Sequence, residues 1–343
     1  MGVLTDTHGR RTRWFVLQWH LTSACDLQCR HCYDESPHAT LRLDNALRVL
    51  DELEAFCENR GVRPKLTLSG GNPILYPWFF DLYAEIAARD IPVALLGNPV
   101  RPNELDRLVS IRRPDFFQVS LEGLRAHNDF IRGHGTFDRV LEFLPELRNR
   151  GIPSVVMLTL TADNIDQVIP LGRRLDGLAT RFTFNRLSQV GEGAALLQPS
   201  VDRYRDFLDE YLEARRSVPV LHLKDNLLNL TLELDGAMLF GGCTGFGCGA
   251  AFNFLAVLPN GEAHACRKLP SPLGNILIDG LAAVYDSRSA KRFRQGSRAC
   301  EGCGIRARCG GCPAVTYGAG LEPREDRDPM CFAGRPRHFP NLT

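Results

Sequence analysis

Residues 22–36 read TSACDLQCRHCYDES and place Cys25, Cys29 and Cys32 within eight residues. The apolar run WFVLQWHL (14–21) comes directly before them, so the three thiols sit at the end of the first expected strand. Three is an odd number, and the loop is too tight for a disulfide framework. Three thiolates from one loop fit a cubane iron–sulfur cluster whose fourth iron stays open, since a fully protected cluster takes four cysteines. An open iron can bind a substrate or cosubstrate, as an open zinc position does. A zinc knuckle is the competing reading of the same residues.

Outward from that loop, short β-like runs alternate with helical patterns over roughly the first 215 residues. After 14–21 come KLTLS (65–69), IPVALL (91–96), DFFQVSL (115–121), SVVMLTL (154–160) and RFTFNRL (181–187). Amphipathic stretches such as LDNALRVLDELEAFCENR (43–60) and TFDRVLEFLPELRNRG (136–151) lie between them, the second ending at a glycine suited to a helix stop. Six β–α repeats with nearly continuous apolar strands predict an α/β fold, a partial (β/α)6 TIM-like barrel over residues 1–217. Chemistry in such barrels gathers at the C-terminal ends of the strands. The punctuation agrees: Cys25 follows the first strand, GGNP (70–73) the second, GNP (97–99) the third and EG (122–123) the fourth.

Beyond residue 217 glycine and cysteine rise and the alternation stops. FNFLAVLPNGEAHACRKL (252–269) predicts a hairpin turning at Asn260-Gly261. Residues 218–343 are therefore expected to form a small, cysteine-rich α+β domain held together by metal. The stretch EPREDRDPM (322–330) reads as a charged surface excursion ahead of Cys331.

Composition bounds the function. The 343 residues are 44% hydrophobic and 24% charged, with a formal net charge of +1. That balance argues against a nucleic-acid surface and a polybasic membrane anchor. The start MGVLTDTHGRRTRWF lacks a signal-peptide core, and no apolar run approaches a membrane span. A reducing cytoplasm is expected, where the twelve cysteines stay as thiols unless metal holds them. Cys57 stands alone, at helical spacing with Leu43, Leu47, Leu50 and Leu53, as a small apolar core residue. The paired arginines at 112–113, 173–174 and 215–216 read as solvated helix faces, and His264 and His338 as structural.

The C-x3-C-x2-C loop after a first barrel strand resembles that of the radical S-adenosylmethionine (SAM) superfamily, and the resemblance spans all six repeats. LSGGNP (68–73) is similar to the family's GGEP loop, which meets the amino group of SAM through the positions of Gly70, Gly71 and Asn72. Asn72 stands where the family usually has Glu; its amide oxygen can accept from the ammonium without the charge-assisted part. VSLEG (119–123) with HNDFIRG (127–133) is similar to the SLDG…HDxxRG pattern, which implies Ser120 on ribose or methionyl atoms and Arg132 on the carboxylate. His31 occupies the usual aromatic place near adenine, and Leu187 packs on adenine from the sixth strand. The resemblance implies a [4Fe-4S] cluster that cleaves SAM to methionine and a 5′-deoxyadenosyl radical, which takes a hydrogen from the substrate.

The remaining thiols are Cys243, Cys248, Cys266, Cys300, Cys303, Cys309, Cys312 and Cys331. Eight suffice for two four-thiolate clusters, while two C-x2-C pairs also suit a zinc ribbon. CGAAFNFLAVLPNGEAHAC (248–266) resembles the opening of the SPASM extension, an auxiliary-cluster domain of radical SAM enzymes, and the later cysteines resemble its ending with one residue fewer before Cys312. The family's interleaved ligation implies one auxiliary cluster on Cys243, Cys248, Cys266 and Cys312 and another on Cys300, Cys303, Cys309 and Cys331. The resemblance points to a peptide-modifying enzyme that forms a crosslink or oxidised residue in a ribosomally made, leader-bearing peptide, with flavodoxin or ferredoxin as electron donor. About a dozen residues precede the first strand, so leader recognition is expected from a separate peptide-binding protein or the C-terminal domain. Arg267 stands where sulfatase-maturing relatives have an Asp, which disfavours formylglycine formation. Tetrapyrrole modification and a zinc-stabilised binding module are the other readings.

Overall fold

Alternation along the first barrel strand decides which side chains meet the lumen. In the computed structural model, which describes residues 2–6, 8–36 and 38–334, a short hairpin of β1 (Leu4–Thr5) and β2 (Arg11–Thr12) comes first. It is followed by β3 (Trp14–Thr22), where Phe15, Leu17, Trp19 and Leu21 are all buried. By the two-residue period of a strand, Val16, Gln18 and His20 face the other side. Then come β4 (Arg63–Gly70), β5 (Val93–Leu96), β6 (Phe117–Ser120), β7 (Ser154–Leu160) and β8 (Arg181–Arg186), paired in parallel in that order. The connecting helices are α1 (Leu43–Arg60), α2 (Phe79–Ala88), α3 (Pro102–Ile111), α4 (Arg125–Arg132), α5 (Thr136–Asn149), α6 (Val168–Leu175) and α7 (Val201–Ala214). The α1 stripe Leu50, Leu53, Phe56 and Cys57 is buried, and burial pushes the Cys57 thiol up to about 12. Cys57 is a core residue, as its spacing predicts.

The expected hairpin forms as β9 (Phe254–Val257) and β10 (Glu262–His264), and β11 (Pro272–Asn275) completes a meander. Its turn is closed by the Leu258 N–H on the Glu262 carbonyl at 2.8 Å and by the Glu262 N–H on Asn260 Oδ1 at 3.1 Å. Sequence patterning did not reveal that β9 pairs in parallel with β3, Val16 opposite Phe254 through Trp19 opposite Val257. One nine-stranded sheet therefore crosses the boundary expected at residue 217. A shared core seals the junction, with the Tyr285 ring packed against Phe15 and Phe56 at 5.7 and 4.9 Å. The N-terminal hairpin adds a clasp: Arg10 donates to the carbonyls of Phe246 and Cys248 at 2.6 and 2.8 Å.

The reading of 322–330 as a surface excursion needs correction at its end. Asp328 is buried, and the Arg186 guanidinium at the end of β8 donates to both its carboxylate oxygens, at 2.7 and 2.8 Å. Arg186 also donates to Asp225 at 2.8 Å, and Asp225 accepts from the Tyr204 hydroxyl at 2.9 Å. Asp328 Oδ2 in turn accepts the Cys312 N–H at 2.8 Å. The charge pattern hid this because a buried aspartate and a solvated one look alike in sequence.

Removing one member of a buried ion pair leaves the other charge uncompensated, at a cost of about 3–5 kcal/mol. Asp328→Ala should lower the unfolding free energy by about 3 kcal/mol or more, read by chemical denaturation. It should also lower iron per chain, because the Cys312 backbone loses its anchor.

Candidate active site

Backbone bonds between neighbouring strand ends build the site. The Gly71 N–H donates to the Thr22 carbonyl and the Asn72 N–H to the Ala24 carbonyl, each at 2.8 Å. A Cβ on Gly70 would stand 2.3 Å from the Thr22 oxygen, and one on Gly71 2.2 Å from the Ala24 oxygen. Only glycine allows this approach. The cysteine loop is tied again where the Arg30 N–H meets the Ile131 carbonyl at 2.9 Å.

These contacts frame an open cavity of about 990 Å³ at the C-terminal mouth of the barrel. Cys25, Cys29 and Cys32 line it together with His31, Gly70, Gly71, Ser120, Arg132 and Leu187. Burial raises the Cys29 thiol to about 11, against the opposing pull of Arg132, and raises Cys32 as well. Metal ligation, which needs the thiolate, works against that shift at both half-buried thiols.

Asn72 differs from expectation: it is not part of the cavity wall. It is buried, its Nδ2 donates to Asp26 Oδ1 at 3.0 Å, and its Oδ1 lies beside Gly97 with no hydrogen-bond partner among the described residues.

Two residues at the site, Asn98 in the wall and Glu122 behind it, escaped sequence reasoning because their partners are distant in the chain. Glu122, two residues beyond β6, is buried and accepts from Arg132 at 3.3 Å and from the Thr159 N–H at 2.7 Å, with His31 Nε2 at 3.2 Å. Burial alone would raise its pKa, but the His31 imidazole, the Arg132 guanidinium and the Thr159 N–H outweigh that and hold it down to about 2. Asn98, from the GNP turn, donates to Asp26 Oδ1 at 2.7 Å and accepts from Arg132 Nη2 at 2.9 Å. The EG and GNP punctuation marks were the signal that could have found both.

Part of the wall is cationic. Arg267 and Lys268, directly after Cys266, border this cavity and a second one of about 320 Å³. Arg267 lies 2.9 Å from His20 Nε2 and over the Tyr33 ring at 4.7 Å. Burial and the neighbouring Arg267 hold His20 well below the usual imidazole range. Cys243, Cys248, Cys266 and Cys312 all border the second cavity. Cys300, Cys303, Cys309 and Cys331 ring a third pocket of about 20 Å³. The first two volumes have room for an iron–sulfur cube, while the third is much smaller. Among the described residues no three ligating side chains close on a position for a single metal ion. His264 bonds Glu262 and the Ser271 N–H within its own hairpin, and His338 lies outside the described residues.

Comparison with known proteins agrees with this geometry. Residues 19–175 match the radical SAM superfamily model, and residues 248–312 match SPASM, an iron–sulfur cluster-binding domain. The chain is 30% identical over 348 residues to the mycofactocin maturase MftC of Mycolicibacterium smegmatis, covering 93% of this chain and 82% of the relative. The chain belongs to the radical SAM superfamily and carries a SPASM domain. Its cofactors are accordingly [4Fe-4S] clusters and SAM. It is also similar to the AdoMet-dependent heme synthase of Methanosarcina barkeri, 25% identical over 350 residues and covering 92% of this chain and 96% of that one. Streptococcus suis SuiB, solved with its precursor peptide SuiA, shares the fold: TM-score 0.72, 17% identity, 95% of this chain and 77% of SuiB. Among the described residues no helix is long and apolar enough to cross a membrane.

Replacing Cys25, Cys29 and Cys32 together with Ala should reduce 5′-deoxyadenosine formation under dithionite to background. Chromatography of the quenched reaction checks this, and undiminished formation would remove these thiols from the chemistry.

Proposed function

We propose that this protein modifies a peptide by radical chemistry in the cytoplasm, with Cys25, Cys29 and Cys32 holding the SAM-binding cluster. The observation that carries the reading is the cavity itself. It is lined both by those three thiols and by Arg267 and Lys268, which follow a thiol of the auxiliary group.

When bound, SAM and its cluster supply the 5′-deoxyadenosyl radical that removes a hydrogen atom from the substrate. The protein's residues hold and shield. Arg132, oriented by Glu122 and Asn98, takes the SAM carboxylate; Ser120 lies against ribose or methionyl atoms; His31 and Leu187 flank adenine. Cys243, Cys248, Cys266 and Cys312 hold the nearer auxiliary cluster, and Cys300, Cys303, Cys309 and Cys331 the farther one. With four thiolates each, two such clusters would leave no iron open to a substrate thiol, and the chemistry they would supply is electron transfer. A flavodoxin or ferredoxin supplies the first electron. Leader recognition falls to a separate peptide-binding protein or to the C-terminal region.

Several observations support a peptide substrate. MftC is a maturase, and the SuiB fold accommodates a precursor peptide. Within the peptide class, Arg267 argues against formylglycine formation, because a guanidinium keeps its proton and cannot accept another. The heme-synthase similarity, which extends over nearly that whole protein, makes tetrapyrrole chemistry the second reading.

The test is anaerobic turnover with SAM and dithionite on short peptides encoded beside the gene, followed by mass spectrometry. The expected product is a peptide lacking a pair of hydrogens; a modified porphyrin and untouched peptides would favour the second reading. Cys312→Ala should abolish the peptide product while 5′-deoxyadenosine still forms. Wild-type product yield with intact iron content would refute the ligand assignment.

A further inference from the structure

The cysteine loop and the GGNP loop are joined by a carboxylate and two amides. Asp26 Oδ1 accepts from Asn72 Nδ2 at 3.0 Å and from Asn98 Nδ2 at 2.7 Å. Both amides are buried, whereas the Asp26 side chain is about a third exposed. Asn98 Nδ2 also lies 3.5 Å from Cys25 Sγ, and its Oδ1 takes the Arg132 guanidinium at 2.9 Å. Arg139 approaches Asp26 Oδ2 at 3.4 Å, but its side chain is half exposed, so it screens the charge weakly.

We propose that Asp26 is the positioning carboxylate of the SAM methionyl site, doing from the cysteine loop what a glutamate at position 72 would do from the GGNP loop. Three features carry this. Asn72 turns its nitrogen to Asp26 and its oxygen toward Gly97, so it presents neither charge nor acceptor to the cavity. Asp26 follows Cys25, which borders the cavity, and stands directly behind the wall, joined to it through Asn98, itself a lining residue. By drawing Asn98 Nδ2 toward itself, Asp26 also turns Asn98 Oδ1 to Arg132. One carboxylate thus supplies the field for the ammonium and fixes the group that meets the carboxylate. The network holds a single carboxylate among two amides, and the bond between positions 26 and 72 is preserved if acid and amide trade places.

The inference rests on SAM binding at the Cys25 loop, and its test reads binding rather than turnover. SAM dissociation constants would be measured by anaerobic equilibrium dialysis on reconstituted protein, with iron content and the spectrum of the reduced cluster recorded for each variant. Asp26→Asn is nearly isosteric, and its oxygen can still accept from both amides, so a merely structural clamp would leave affinity unchanged. Loss of the charge-assisted part should instead weaken binding about tenfold at unchanged iron content. Asn72→Glu alone should also weaken binding about tenfold or more, because it sets a second carboxylate against Asp26. The exchange Asp26→Asn with Asn72→Glu should return affinity to within about threefold of wild type, since a difference that small is under 1 kcal/mol.

Equal affinity of Asp26→Asn and wild type would overturn the inference while leaving the SAM site standing. An exchange variant no better than the weaker single variant would overturn it as well. Failure of the wild type itself to bind SAM would overturn both the inference and the site beneath it.

Discussion

The parallel ladder on both sides of β3 is the constraint from which the rest of the molecule follows. Backbone groups of Val16–Trp19 are bonded to β4 on one side and β9 on the other. A parallel strand buried on both edges cannot shift register without turning its apolar set away from the core. The loop leaving β3 is therefore held at a fixed height above the barrel. The hairpin starting at β9 returns Arg267, directly after Cys266, to the same mouth. The spacing of redox centres in this enzyme is thus set by one strand and its two neighbours.

Buried charge does the finer positioning. At the cavity, Glu122 is shared by Arg132, His31 and the β7 backbone, so residues from three elements are held in one arrangement. At the far end of the sheet, Arg186 bridges Asp225 and Asp328 and so anchors the backbone of Cys312. Such networks are costly to desolvate and tolerate loss of a partner poorly. They return that cost as fixed geometry next to groups that must accept large cofactors.

What the sequence reveals follows the range of the interactions. Strand alternation, helix stripes, the Asn260-Gly261 turn and the grouping of thiols are local, and each is found where patterning puts it. The thiols line three cavities in three groups. Contacts across long separations were not legible. Glu122, Asn98 and Asp328 were charged or polar letters beside loops until the fold brought Arg132, Asp26 and Arg186 to them. Asn72 shows the limit most clearly: its position in the GGNP loop was readable, but the direction of its amide depends on a residue 46 positions earlier.

The proposed assignment of eleven thiols to three iron–sulfur cubes is tested most directly by counting iron, sulfide and zinc on wild-type protein purified and reconstituted without oxygen. The expected result is about twelve irons and about twelve sulfides per chain, four of each for every cube, a broad brown absorption band and negligible zinc. A colourless protein with stoichiometric zinc, or one that saturates at about four irons with the C-terminal thiols still free to react, would contradict it.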